Sequence, residues 1–318
     1  MNEFSIIDTY FKSLTPPRDD VILGVGDDAA CLKVPSGFNL IVTCDTLVSD
    51  VHFHSDWKPY DIAYKAVMVN VSDIAAMAAI PCWASLALTM PDCDPQWLDN
   101  FSHGLQDALT ACHIQLIGGD ITRGSLVITI TLHGTVPEGL EIRRSGAHAG
   151  DQIFVSGELG AAALAVKLLG NEKVNPQVKS QLMQVLKYPQ PRVDYANCLR
   201  QYATAAIDIS DGLSADLQHI CRASRLGACL DLDRIPVHHL VSEFYDRNAA
   251  IDLALSGGDD YQLCFTVPKE KYTVFMETLR DMNLQAYCIG VMEEQSGLRV
   301  KSSNGKPVEY QAKGYSHF

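Results

Sequence analysis

The feature that most constrains this chain is an acidic turn, Gly24-Val25-Gly26-Asp27-Asp28-Ala29-Ala30, between the apolar run Val21-Ile22-Leu23 and the segment Cys31-Leu32-Lys33-Val34. Adjacent carboxylates between two strand-like segments are costly to bury without a compensating cation. Acids at the ends of strand-like segments recur at Thr43-Cys44-Asp45-Thr46, at Gly118-Gly119-Asp120 and at Asp208-Ile209-Ser210-Asp211-Gly212. A further acid, Asp73, interrupts an otherwise apolar helical stretch. Read together, these pieces are expected to converge on one metal site.

A chain of 318 residues has room for a large core and is expected to form two domains. Its net charge of −13 argues against nucleic acid or an anionic membrane as a partner, since both need a basic face. Met1 to Phe11 carries Glu3 and Asp8 among apolar residues and lacks the basic start of a signal peptide. No stretch reaches the roughly 18 uninterrupted apolar residues of a membrane-spanning helix. The ten cysteines are scattered, with no CxxC spacing, which is the usage of reduced thiols in a cytoplasmic protein.

Periodicity and proline placement predict the elements. Residues 3–14 suggest an amphipathic helix stopped by Pro16-Pro17, followed by strands over 21–25, 30–34 and 38–44. A helix is expected from Tyr60 to Ala78, just after Pro59, with apolar residues nearly all round and hence buried on most sides. Asn70 and Asp73, three apart, share one face of it. A buried Asp73 is either ligated or paired, or it accepts N–H groups of a neighbouring loop, and both readings stand. A strand over 81–90, a helix over 95–112, a strand over 114–117 and an alternating strand over 126–136 complete an α+β first half, residues 1–137. Residues 138–150 are rich in glycine and charge and serve as linker. Residues 151–318 form a second, α/β domain.

Asp28, Asp45, Asp73, Asp120, Asp208 and Asp211 offer hard oxygen ligands, which suit Mg²⁺ better than zinc. Magnesium is usually shared between carboxylates and substrate phosphates, so several such acids point to a polyphosphate such as ATP. Singly, each acid also fits a turn former or a helix cap, and only their repetition favours ligation. The chain has no GxxxxGK[ST] loop and no HRD and DFG pair, and Gly24-Val25-Gly26 lacks the third glycine of a dinucleotide fingerprint. Gly157-Glu158-Leu159-Gly160 leads into a helix whose N-terminus can hold an anion, or is a plain tight turn. Arg144 is a phosphate contact or a solvated linker residue. His52 is a phosphate contact or packs on Phe53. Cys44 is a nucleophile without an evident base, or a buried thiol.

The segments Gly26-Asp27-Asp28-Ala29-Ala30, Thr43-Cys44-Asp45-Thr46-Leu47-Val48, Val51-His52-Phe53, Val69-Asn70-Val71-Ser72-Asp73, Gly118-Gly119-Asp120, Ile207-Asp208-Ile209-Ser210-Asp211-Gly212-Leu213, Ser256-Gly257-Gly258-Asp259-Asp260-Tyr261 and Lys313-Gly314-Tyr315-Ser316-His317-Phe318 resemble, in order, the thiamine-monophosphate kinase family. The resemblance implies the two-domain aminoimidazole ribonucleotide synthetase-like fold, with an N-terminal domain that forms a β-barrel across a homodimer and an α/β C-terminal domain. It implies direct transfer of the ATP γ-phosphoryl group to thiamine monophosphate, without a phosphoenzyme. By position, Asp28, Thr43, Cys44, Asp45, Asp73, Asp120, Asp208 and Asp211 would hold several Mg²⁺ ions. Gly119, Asp120, Arg144 and Ser210 would contact ATP, and His52, Asp259 and Tyr315 the thiamine phosphate. The chain departs from the family pattern at Cys44 (often Ser or Thr), Ser102 (Tyr in some members), Asp259 (usually Glu) and Tyr315 (often Trp). Another ATP-dependent synthetase of this fold, or a non-catalytic nucleotide or metal sensor, is the competing reading. A selenophosphate synthetase would need a cysteine near its start, and residues 1–20 contain none.

Overall fold

The computed structural model describes residues 2–302 and 305–317. Phe318, the last residue of the tail motif, lies outside the described residues. The chain divides into two compact units, Met1–Ile74 with Ala79–Leu140, and Ala75–Ala78 with Glu141–Phe318.

In the first unit Asn2 accepts the Ser5 N–H and opens α1 (Glu3–Ile6), which continues as a π turn over Ile7–Phe11. The helix is therefore shorter than the predicted 3–14. Strands β1 (Val21–Leu23) and β2 (Cys31–Leu32) pair antiparallel on either side of the acidic turn. Strand β3 (Phe38–Val48) is longer than expected and runs straight through Thr43-Cys44-Asp45-Thr46. Its β-branched residues suit a pleated surface and outweigh the polar ones among them. Helix α2 (Pro59–Ala76) starts with proline, where the missing N–H costs no hydrogen bond. It is buried nearly all round, as predicted, from Ile62 and Ala63 to Val71 and Ile74. Next come β4 (Ile80–Met90), α3 (Pro95–Ala111, capped by Asp94), β5 (Gln115–Arg123) and β6 (Val127–Pro137).

These strands form a four-stranded sheet in the order β3-β6-β4-β5, with β4 and β5 parallel and the other pairs antiparallel. Alternation assigns Thr43, Asp45 and Leu47 to one face, together with buried Ile128, Ile130, Leu132, Leu86 and Leu88. Helix α2 reaches this face, where Thr43 meets Asp73. On the opposite face β1 and β2 pack over Trp83 and Ile117, and the remainder is uncovered, leaving Phe38 39%, Leu40 43%, Val42 54% and Ile80 43% exposed.

The second unit is built on β7 (Gln152–Val155), α4 (Ala161–Leu168), α5 (Pro176–Lys187), α6 (Ala196–Tyr202), β8 (Ala205–Asp208), α7 (Leu213–Ser224), β9 (Gly227–Asp231), α8 (His239–Phe244), α9 (Arg247–Ser256), β10 (Leu263–Val267), α10 (Tyr272–Asp281), β11 (Tyr287–Glu293), β12 (Gly297–Lys301) and β13 (Val308–Glu309). Its seven-stranded sheet has the order β13-β12-β9-β11-β7-β10-β8, with β12 and β9 parallel. Both faces are buried. Ile153, Val155, Ile207 and Cys264 pack with α7 and α9, whereas Phe154, Ala206 and Phe265 pack with α6 and α10. Helix layers on both sides explain why these strands are continuously apolar rather than alternating.

Candidate functional site

Within the first unit, β3 and α2 bring three of the expected ligands together. Thr43 Oγ1 donates to Asp73 Oδ2 at 2.5 Å, and the Asp45 N–H donates to Asn70 Oδ1 at 3.0 Å. Asn70 is fully buried and donates its own amide to Ala66 O at 3.0 Å, which fixes which way its oxygen points. Burial, and then the charge of Asp73, push the Asp45 carboxyl up to about 6. Asp73 is half-buried rather than enclosed, so the expectation of a sealed carboxylate is corrected: it lies at an accessible edge of α2. A second correction concerns position, because Asp45 and Asp120 lie inside strands and not at strand ends. Cys44, on the uncovered face, is exposed and accepts from Thr131 Oγ1 at 3.5 Å, so it is not the buried thiol considered above.

Asp28 and Asp120 line a different part of this unit, a cleft of about 660 Å³ that Gly26, Gly118 and Gly119 also border. Phe4, Ile7 and Phe11 supply an apolar wall, and Lys12 borders the cleft as well. This is the size and mixed lining of a nucleotide-sized site. Gly119 is required by packing, since a Cβ there would collide with the Leu86 carbonyl of the neighbouring strand. Asp27 accepts the Asp28 N–H at 2.8 Å and shapes the turn. His52 Nδ1 accepts the Val48 N–H at 3.0 Å, stapling the turn after β3, and the neighbouring Phe53 is buried. Ser102 is buried on α3 and donates to Asp99 O at 3.0 Å.

Within the second unit three motif loops are joined through their backbones. Asp259 N–H donates to Ser210 O at 2.8 Å, Tyr261 N–H to Ile209 O at 2.8 Å and Tyr315 N–H to Asp211 O at 3.0 Å. Gly258 allows the close approach, because a Cβ would stand 2.5 Å from Ser210 O. Asp208 is buried at the end of β8, while Asp211 and Asp259 are half-buried. Asp259 and Tyr261 adopt left-handed φ values of 67° and 49°, uncommon for residues with side chains and typical of functional loops. The Tyr261 hydroxyl donates to Asp259 Oδ1 at 2.9 Å. The Tyr315 ring is half exposed and meets His317 edge-on at 4.9 Å. Arg144 is exposed beside α7, where burial and then its charge hold the His219 ring below the usual histidine range.

Two buried acids anchor these loops: Asp216, which lies outside the quoted motifs, and Asp260, which lies within one but has no role assigned to it there. Asp216 Oδ2 accepts the N–H groups of Asp211 and Gly212, each at 3.1 Å. Burial, and then the Asp211 charge, push its carboxyl up to about 7. Asp260 accepts the Gly160 N–H with both oxygens, at 2.9 and 3.0 Å. The chain's own carboxylate thus occupies the start of α4, which answers whether Gly157–Gly160 is free to hold an external anion. Glu158, His238 and His239 also place donor atoms within 4.8 Å of one another. His238 Nδ1 already accepts the Leu240 N–H at 3.2 Å, and a metal on Nε2 would put a proton there and break that cap.

The sequence matches the family model for the N-terminal domain of AIR synthase related proteins over residues 26–136 and the model for the C-terminal domain over residues 148–303. It is 43% identical to thiamine-monophosphate kinase of Escherichia coli K12, covering 99% of this chain and 98% of that protein. The chain belongs to the thiamine-monophosphate kinase family. The crystal structure of thiamine-monophosphate kinase from Stenotrophomonas maltophilia superposes with a TM-score of 0.85 at 40% identity, covering 92% of this chain and 93% of that one. AaThiL complexed with AMPPCP and TMP superposes with a TM-score of 0.79 at 34% identity, covering 99% and 97%. The two AIR synthase-type domains and the mixed α/β architecture agree with the expected fold. The departures from the family pattern at Asp259 and Tyr315 fall on the joined loops of the second unit, whereas Ser102 is enclosed on α3.

Proposed function

We propose that this chain transfers the γ-phosphoryl group of ATP directly to thiamine monophosphate, giving thiamine diphosphate and ADP. The observation that carries this reading is the identity to E. coli thiamine-monophosphate kinase, 43% along essentially the whole of both chains. The donor chemistry fits magnesium, since Thr43, Asp45 and Asp73 present only hard oxygens, and burial and then the like charge of Asp73 raise the Asp45 carboxyl in the absence of a cation. In this reading Asp28, Thr43, Asp45, Asp73, Asp120, Asp208 and Asp211 hold several Mg²⁺ ions, and Cys44, whose side chain lies on the opposite sheet face, joins them through its backbone carbonyl. Bound magnesium supplies neutralisation of phosphate charge in the transfer. Gly119, Asp120, Arg144 and Ser210 hold ATP. His52, Asp259 and Tyr315 take the thiamine phosphate, with the Tyr315 ring as an aromatic surface. No residue is assigned as a covalent nucleophile.

The same reading makes the first unit, with its ATP- and Mg²⁺-binding residues, the dimerisation domain. The uncovered sheet face bearing Leu40, Val42 and Ile80 supports pairing with a second copy. Ten free thiols and the acidic charge suit a cytoplasmic protein, and no helix among the described residues is long and apolar enough to cross a membrane. The test is stereochemical: transfer from ATP carrying a chiral γ-thiophosphate should invert configuration at phosphorus. Retention would indicate a phosphoenzyme, and equal use of thiamine as acceptor would remove the substrate assignment.

A further inference from the structure

The loop Ser210-Asp211-Gly212 points its backbone N–H groups at a single point. Three successive N–H groups turned inward form a concavity of the kind that holds phosphate in many proteins. Here a carboxylate of the same chain occupies that concavity. Asp216, 3% exposed, accepts from Asp211 and Gly212 at 3.1 Å each, with a further backbone contact from Ser210. The carbonyl groups are turned elsewhere: Ser210 O accepts from Asp259 and Asp211 O from Tyr315. One buried side chain therefore sets the orientation of the peptide groups through which three motif loops are joined.

We infer that Asp216 is a positioning residue for phosphoryl transfer, which closes the backbone amides of residues 210–212 to anions, so that phosphate is met there by side chains and by cations held on Asp208 and Asp211 rather than by this cradle. The inference rests on the phosphotransferase reading above. The cradle would otherwise attract phosphate directly, in competition with a metal-bridged arrangement. Helix α7 supports the placement, since Asp216 lies in its first turns and its own N–H donates to Gly212 O at 3.0 Å.

The experiment compares wild type with Asp216→Asn and Asp216→Ala, using ATP, Mg²⁺ and thiamine monophosphate. Asparagine keeps one oxygen acceptor and loses the charge, and alanine empties the cradle. Asp216→Asn should lower kcat or Mg²⁺ affinity by about 10–100-fold, the range for partners that orient metal ligands. Asp216→Ala should in addition become sensitive to inorganic phosphate and sulfate at concentrations that leave wild type unaffected. A role confined to folding would lower thermal stability without creating that anion sensitivity. Should the alanine variant fail to fold, the asparagine variant decides: wild-type kcat, Mg²⁺ dependence and anion sensitivity would overturn the inference. Calorimetric Mg²⁺ titration of wild type and Asp216→Asn separates this outcome from failure of the kinase reading, because it needs no turnover.

Discussion

Thr43 Oγ1 lies 2.5 Å from Asp73 Oδ2, tying the middle of an edge strand to the helix that covers it. The contact consumes one lone pair of a carboxylate whose charge also bears on Asp45. Strand and helix are thus joined at the point where two acids repel.

Asp73→Asn keeps an oxygen that can accept from Thr43 and removes the charge. The variant is expected to fold with a thermal midpoint equal to or above that of wild type, because the repulsion on Asp45 is relieved. Turnover at limiting Mg²⁺ should fall by at least about tenfold, as for loss of a ligating charge. Steady-state rates across a Mg²⁺ titration check this, and wild-type rates at limiting Mg²⁺ would reject it.

The same pair predicts a pH dependence. Asp45 titrates at about 6 in the folded, metal-free protein against 3.8 for an ordinary aspartate, mainly through burial and then through Asp73. Between those values the folded state binds more protons than the unfolded one, so this group's contribution to stability falls as pH rises. A divalent cation must displace that proton, and Mg²⁺ affinity should therefore climb as pH rises through about 6 and then level off. The Mg²⁺-induced shift in thermal midpoint, followed from about pH 5 to 8, measures it, and a flat profile would be the contrary result.

Asp260 gives a slope of the same sign over a wider range. Burial pushes it up to about 8, partly offset by the Gly160 N–H. Wild-type stability should decline as pH rises toward 8, and Asp260→Asn, which cannot ionise, should lose that part of the slope. Asp260→Ala leaves the Gly160 donor without its acceptor, at a cost of about 1–3 kcal/mol. Urea unfolding at two pH values distinguishes the three proteins.

The uncovered sheet face makes a separate prediction. Val42→Asp puts a charge on a face where Val42 is 54% exposed, so the isolated chain should tolerate it. If that face joins two copies, sedimentation should show a dimer for wild type and a monomer for the variant. A monomeric wild type would remove the dimer from the account.

Much of this architecture could be read from residue pattern alone. Pro59 and an apolar surface all round set α2 to within two residues of its bounds, because proline and burial act locally. Asp45 and Asp120 were expected at strand ends because Gly and Asp favour turns, yet cross-strand pairing carried β3 and β5 through them. Tertiary pairing outweighed local preference there. Asp216 and Asp260 stayed hidden for another reason: their partners are backbone N–H groups, which every sequence has. Only the fold shows that Gly160 stands opposite residue 260.

The most direct measurement is product formation by the pure protein with ATP, Mg²⁺ and thiamine monophosphate. Thiamine diphosphate and ADP are expected in equal amounts, and chelating the metal is expected to abolish both. ADP without thiamine diphosphate, or no product at all, would contradict it.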